Sequence, residues 1–378
     1  MSLLGRCEYI PANIAIAEGA MAAGLNFFAG YPITPASDLF EYLAEKLPGH
    51  GGVVVQFEDE IGSINAVIGA AWAGAKAMTA TSGPGFSLMV EGLGLAIMTE
   101  TPLVLVDVMR AGPSTGVPTK TTQSDVYQVR FAAHGEYSIP VLAPWSAQEA
   151  FDLAVKAFNI AEALRTPVIL LTDAALAHTW ERVEIKGSGE INVVKRRPPC
   201  VPPESFKLYE PCEDLVPRMA YFGEGYGVLV ESLAHDEEGF YSPNTEAYER
   251  LVRRLVAKIE RNSHLIVDNE EYLTRGAEYV IYAYGSTARS AYAVVKELRS
   301  EGLRVGLFRP KALWPFDAEG LRKATERARK VFVVENNLGK MVREVERVLK
   351  DKEVIPINII DLEVPSPDRV SEEIRRWL

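Results

Sequence analysis

The chain has 378 residues, of which 48 % are hydrophobic, and a formal net charge of −11. That length exceeds one ordinary core, so two domains are expected, and the composition excludes extended disorder. The acidic balance disfavours nonspecific nucleic-acid binding, which calls for a basic face.

Helical spacing runs over 10–24, and a brief apolar strand follows at 26–31. An amphipathic helix is expected over 36–47, with Leu39, Phe40, Leu43 and Leu47 on one face. A strand at 53–57 leads to helical spacing from Ile61 through Ile64, Val67, Ile68 and Ala71. Further strands are expected at 76–81, 102–109, 139–143 and 167–172, with helices over 86–99 and 146–164. Strands alternating with helices predict an α/β fold with a parallel sheet covered on both faces.

The alternation breaks after Ala177, where Pro198, Pro199, Pro202, Pro203, Pro211 and Pro217 argue for an irregular connection. A charged helix over 244–261 closes that segment. Strands at 279–284, 304–308, 331–335 and 355–360 then alternate with helices over 288–300, 318–328 and 339–350. This is a second, smaller α/β domain of common size.

No apolar run approaches the ~20 residues that span a bilayer, and the first residues lack the features of a secretory signal. A cytoplasmic protein is expected. Cys7, Cys200 and Cys212 form no Cys-x-x-Cys pair, and an iron–sulfur cluster normally takes four thiolates. No metal site on this chain is expected.

Four segments suggest chemistry. In Tyr31-Pro-Ile-Thr-Pro35, Pro35 suits the first helical position and Thr34 the N-cap. A helix start after a parallel strand also suits a small carboxylate. Glu58-Asp59-Glu60 precedes a helix whose Gly62, Ser63, Ala66, Gly69, Ala70, Ala73 and Gly74 leave little bulk. The macrodipole alone would favour acids there. Yet so small a helix suits close approach by another chain, and an acid desolvated at that interface would have a raised pKa.

In Thr79-Ala-Thr-Ser-Gly-Pro-Gly85, Gly83 and Gly85 permit close approach at a strand-to-helix turn. Neither a P-loop nor Gly-x-Gly-x-x-Gly is present, so ATP and NAD find no support. Arg110 ends the apolar run Val104-Leu-Val-Asp-Val-Met109 and opens a long loop through Thr122. There it could form a surface ion pair or hold a carboxylate bidentately.

Taken together, these motifs resemble the α subunit of the 2-oxoacid:ferredoxin oxidoreductases, particularly the 2-oxoglutarate type. The resemblance extends through Gln123-Ser-Asp125, His134-Gly-Glu136, 167–173 and 235–239, and so covers most of the chain. It implies a thiamine-enzyme pyrimidine-type domain over 1–180, a Pro-rich connection with one helix over 181–274, and a transketolase C-terminal-like domain over 275–378. It implies oxidative decarboxylation of a 2-oxoacid with coenzyme A, yielding acyl-CoA, CO2 and reduced ferredoxin. Pyruvate, branched-chain oxoacids and indolepyruvate are the alternative substrates, and a silent scaffold subunit is the alternative role.

By the same resemblance, Glu60 is the acid that contacts the aminopyrimidine N1′ of thiamine diphosphate, with Glu58 its rival. Thr34 and Arg110 match positions that contact the substrate carboxylate, and Gly83 matches the turn near the active centre. The chain lacks the Gly-Asp-Gly…Asn-Asn pattern that holds diphosphate and Mg2+, since Glu335-Asn-Asn337 has no upstream Gly-Asp-Gly. The diphosphate site, Mg2+ and clusters are therefore expected on a β subunit and its associates, with γ and ferredoxin-like δ subunits among the partners. The segment before His235 departs from the family's usual form, and no γ domain is fused to this chain.

Overall fold

The computed structural model describes residues 5–187 and 189–378. The chain opens with strand β1 (Arg6–Pro11), helix α1 (Ala12–Ala22), β2 (Phe27–Gly30), α2 (Ser37–Lys46) and β3 (Val53–Gln56). It continues through α3 (Glu60–Trp72), β4 (Ala77–Thr81), α4 (Gly83–Met98) and β5 (Leu103–Met109). Next come α5 (Val126–Phe131), β6 (Val141–Leu142), α6 (Ala147–Leu164), β7 (Pro167–Asp173), α7 (Ala174–His178) and β8 (Trp180–Ile185). A long irregular segment leads to α8 (Thr245–Arg261).

The remainder is β9 (Asn269–Tyr272), β10 (Tyr279–Tyr282), α9 (Thr287–Ser300), β11 (Val305–Pro310) and β12 (Ala312–Trp314). The chain ends with α10 (Ala318–Ala324), β13 (Lys330–Glu335), α11 (Met341–Val348), β14 (Glu353–Asn358) and α12 (Pro367–Arg375).

Seven strands form the first sheet in the order β12-β6-β7-β5-β4-β2-β3. All its pairings are parallel except β12 with β6. Its central strands β5 and β7 are buried along their whole length, as expected of continuous apolar runs with helices on both faces. One face carries α1, α2 and α6 through Ile16, Leu39, Leu43 and Phe151. The other carries α3 and α4 through Ile64, Val67, Phe86 and Met89, and this core continues into the second part of the chain at Tyr282, Tyr284 and Trp314.

The second sheet has five strands in the order β14-β13-β10-β11-β9, with only β9 antiparallel. Its outer face packs on α9 and α12 through Val294, Phe332, Ile355 and Val370.

Three features differ from what local pattern suggests. Residues 6–11 form β1, an antiparallel partner of β8, where helical spacing starts at Ile10. β12 leaves the C-terminal part to extend the first sheet, and β9, at 269–272, pairs into the second sheet ahead of residue 275. Each of these strands is short and depends on a partner remote in sequence, so no local periodicity announces it.

The Pro-rich segment is secured by buried ion pairs. Glu100, fully buried, accepts from Arg254 at 2.6 and 2.9 Å and from Lys258 at 2.7 Å, clamping α8 to the end of α4. Among the described residues no helix is long and apolar enough to cross a membrane.

Candidate active site

Parallel strands deliver their following loops to one edge of a sheet. Thr34, Glu60, Gly83 and Arg110 all arrive there, from the turns after β2, β3, β4 and β5.

Thr34 does not cap a helix. Residues 34–36 form a turn, α2 starts at Ser37, and no side chain caps it. Tertiary contacts explain the difference. The Arg110 guanidinium donates to the Thr34 carbonyl oxygen at 2.8 Å, and the Asn13 amide donates to the Pro35 carbonyl at 2.8 Å. Both carbonyls are held by remote side chains, which outweighs the local helix-start signal.

The three consecutive acids take three different environments. Asp59 is the N-cap of α3, accepting from the Gly62 N–H at 2.7 Å. Glu58 is exposed. Glu60, the first residue of α3, is turned inward and is only 4 % exposed. Burial pushes its carboxyl above the ordinary range; its own backbone N–H pulls it down, Asp59 pushes it up and Arg110 pulls it down.

Gly85 makes room for that carboxyl. A Cβ added there would collide with Glu60 Oε1 and Thr81 Oγ1. Gly83, the first residue of α4, lies against Asp125, whose Oδ2 would sit 2.9 Å from an added Cβ.

Arg110 is 7 % exposed, and its Nε is buried with no hydrogen-bond partner. A buried guanidinium donor left unpaired is costly, and an entering carboxylate would satisfy it. Thr122 Oγ1 donates to the Arg110 carbonyl at 3.0 Å, closing the base of the long loop. On its far side the loop meets the C-terminal part, where the Thr121 N–H donates to the Leu362 carbonyl at 3.2 Å.

Gly83, Arg110 and Asp125 face Asn337 and Lys340 across a cleft of about 570 Å³. Local sequence reasoning assigned no role to Asp125, Asn337 or Lys340. Gln123-Ser-Asp125 stood out as a motif, but nothing in it announces a cleft wall. Lys340 reaches the site only through tertiary folding.

Gln123 joins the two parts. Its Nε2 donates to the Tyr284 carbonyl at 2.9 Å, and its Oε1 accepts from Thr287 Oγ1 at 2.6 Å and the Asn336 N–H at 3.0 Å. Glu335, next to it, accepts from the Met341 and Val342 N–H groups at 3.0 Å and so caps α11. The role of Glu335-Asn-Asn337 in this chain is thus to hold a helix start and the domain junction.

The residues present fit an aminopyrimidine. Glu60 is desolvated, the glycine at position 85 leaves its carboxyl room, and among the described residues no other side chain hydrogen-bonds to it. Among the described residues, no group of three or more His, Cys, Asp or Glu side chains is placed to hold a metal ion.

Residues 18–254 match the family model "Pyruvate flavodoxin/ferredoxin oxidoreductase, thiamine diP-bdg", and residues 277–362 match "Pyruvate:ferredoxin oxidoreductase core domain II". The chain is 48 % identical over 370 residues to 2-oxoglutarate synthase subunit KorA of Methanothermobacter marburgensis, covering 97 % of this chain and 98 % of that one. Its fold matches the solved 2-oxoglutarate:ferredoxin oxidoreductase from Magnetococcus marinus with 2-oxoglutarate, coenzyme A and succinyl-CoA bound. The TM-score is 0.90 at 33 % identity, covering 98 % of this chain and 65 % of that longer chain. A split-gene transketolase, at 13 % identity and a TM-score of 0.54 over 98 % of each chain, shares the fold alone. With family models across both sheets and 48 % identity over nearly the full length of such a subunit, the chain belongs to the 2-oxoacid:ferredoxin oxidoreductase family.

Proposed function

We propose that this chain is the α subunit of a cytoplasmic complex that decarboxylates a 2-oxoacid oxidatively, with 2-oxoglutarate favoured, using coenzyme A and reducing ferredoxin. Thiamine diphosphate would be shared with a β subunit that holds its diphosphate and Mg2+. Iron–sulfur clusters would sit on that subunit and on γ and ferredoxin-like δ partners. Residues 1–180 would serve as the pyrimidine-type part and 275–378 as the transketolase C-terminal-like part. The observation that carries this reading is the buried, pKa-raised Glu60 at the start of α3. Along α3, Ile61, Asn65 and Gly69, with Ala73 just past its end, form an exposed stripe, and the small residues at 69 and 73 would let a second chain approach closely.

Bound thiamine diphosphate supplies the electron sink that lets CO2 leave. This chain's residues would prepare and orient. In its neutral form the Glu60 carboxyl would hold a proton toward the pyrimidine N1′, and desolvation favours that form. Arg110 takes the substrate carboxylate with its unpaired Nε, while its other donor stays on the Thr34 carbonyl and so positions that edge. Gly83 lines the cleft without a side chain, and Gly85 leaves room for the Glu60 carboxyl.

The test is anaerobic purification of the whole complex and a viologen-reduction assay with 2-oxoglutarate, pyruvate, a branched-chain oxoacid and indolepyruvate. Activity with 2-oxoglutarate in preference to the others is expected. Glu60→Gln should lower it by about 10²-fold or more. Full activity of that variant in an intact complex would exclude the assignment and leave the chain a scaffold.

A further inference from the structure

Two carboxyl groups, one buried in the sheet and one at the cleft wall, are not used by the reading above. Asp107, in the middle of β5, is 0 % exposed, and neither of its oxygens has a hydrogen-bond partner. It projects from the same face of the sheet as Leu105 and Met109, which pack in the α3–α4 core. Asp125 sits just before α5. Its Oδ2 is buried and unpartnered, packed against the backbone of Gly83, while the residue itself lines the cleft.

An ionised carboxylate buried without a partner costs several kcal/mol, and such a group takes up a proton instead. Asp107 pairs across the sheet with Thr81, two residues before the Gly83 against which Asp125 packs, so the two carboxyls share one buried region and cannot both ionise cheaply. The charged groups acting on Asp125 are Lys340 and Arg110, both favouring its ionisation; Asp107 feels only Asp125. Desolvation pushes Asp125 up to about 6, and desolvation together with the charge of Asp125 pushes Asp107 well above the ordinary range. The inner carboxyl is thus held neutral, and the outer one changes charge at the wall of the cleft.

We propose that Asp107 and Asp125 form a buried proton-holding pair, in which Asp125 takes up the proton that turnover releases into the cleft and Asp107 stays neutral behind it. This rests on the reaction proposed above, whose balance leaves one proton to be taken up. The 2-oxoacid carboxylate leaves as CO2, and the thiol exchanges its S–H bond for a thioester bond. Two electrons go singly to two ferredoxin-type acceptors, and the thiol proton is left over. The Asp125 carboxylate accepts it, directly or through one water, and returns it to solvent through the cleft mouth.

The test uses the whole complex and two readouts. In infrared difference spectra across a pH titration, the wild type should show the C=O stretch of a protonated carboxyl that persists at neutral pH and is absent from Asp107→Asn. A second such band should fade as pH rises through about 6 and be absent from Asp125→Asn. In viologen reduction, the acid limb of the kcat profile should vanish in Asp125→Asn, with kcat down about 10²-fold and the oxoacid KM little changed. Asp125→Glu should restore part of both. The lack of a neutral-pH carboxyl band that Asp107→Asn removes, or a wild-type pH profile in Asp125→Asn, would overturn the pair. A wild-type complex that shows the infrared bands but reduces no viologen with any oxoacid would instead sink the reaction reading, because the bands report the pair directly.

Discussion

Arg110 and Thr34 come from loops that follow different strands, and the Arg110 guanidinium holds the Thr34 carbonyl at 2.8 Å. One donor of the guanidinium thus fixes the neighbouring loop, while Nε is buried and without a partner among the described residues, the donor that the proposed function gives to a carboxylate. A lysine offers a point charge without the planar fork, so it cannot do both. Arg110→Lys should raise the KM for the oxoacid by about 10-fold or more and lower kcat less, as expected when a positioning contact is lost. Steady-state dye reduction checks this, and an unchanged KM would count against a carboxylate at Arg110.

Gly85 lies in α4, where alanine would ordinarily gain up to about 1 kcal/mol. Here a Cβ meets Glu60 Oε1 and Thr81 Oγ1, and such overpacking costs about 1–3 kcal/mol. Gly85→Ala should therefore lower the Tm slightly and lower dye reduction by about 10-fold or more, because Glu60 is displaced by an ångström-scale shift. Calorimetry and the rate assay together separate this from simple unfolding.

Glu60 has its folded pKa raised, so whatever stability it contributes is fully present below its unfolded pKa, about 4.3, and is lost as pH rises through the folded value. At neutral pH an ionised Glu60 is a burden on the ligand-free protein. Glu60→Gln should then melt at a higher temperature than the wild type at pH 7 to 8, with the gap closing toward about pH 4. The same substitution that removes activity would stabilise the fold, as expected where a catalytic group is held in an unfavourable environment. Melting curves at several pH values decide it.

Glu100 behaves in the opposite sense. Buried between Arg254 and Lys258, it is held well below the ordinary carboxylate range. Desolvation opposes this, and the two cations prevail. Its contribution is present above its unfolded pKa, about 4.3, and is lost as pH falls through the folded value. Glu100→Gln leaves two buried cations short of a partner and should cost about 3–5 kcal/mol at neutral pH, less in acid. Glu249→Gln, which breaks the exposed pair with Arg253, should change little. Denaturant unfolding of the three proteins measures the difference.

Much of the architecture was legible from local pattern, because a strand buried on both faces must be a continuous apolar run. That rule identifies β5 and β7 directly. Turns such as Ser82-Gly-Pro-Gly85 were equally legible, since only glycine tolerates so close a neighbour. The distinction among Glu58, Asp59 and Glu60 was not. On paper all three are acids at a helix start, where the macrodipole favours each. Which of them caps, which faces water and which is buried follows from how α3 is rotated against α4 and the sheet.

From the residues alone came the alternation of strand and helix, the absence of nucleotide-binding motifs, and the set of loops in which chemistry is sought, because these depend on periodicity and residue type within a few turns. Only the tertiary structure decided that Thr34 presents its carbonyl to Arg110 in place of capping α2. It alone decided that β12 completes the first sheet, and that Asp107, an acid inside an apolar strand, is fully buried without a hydrogen-bond partner among the described residues. Those outcomes depend on contacts between segments far apart in the chain, and desolvation is a property of the folded surroundings that no single stretch of sequence contains.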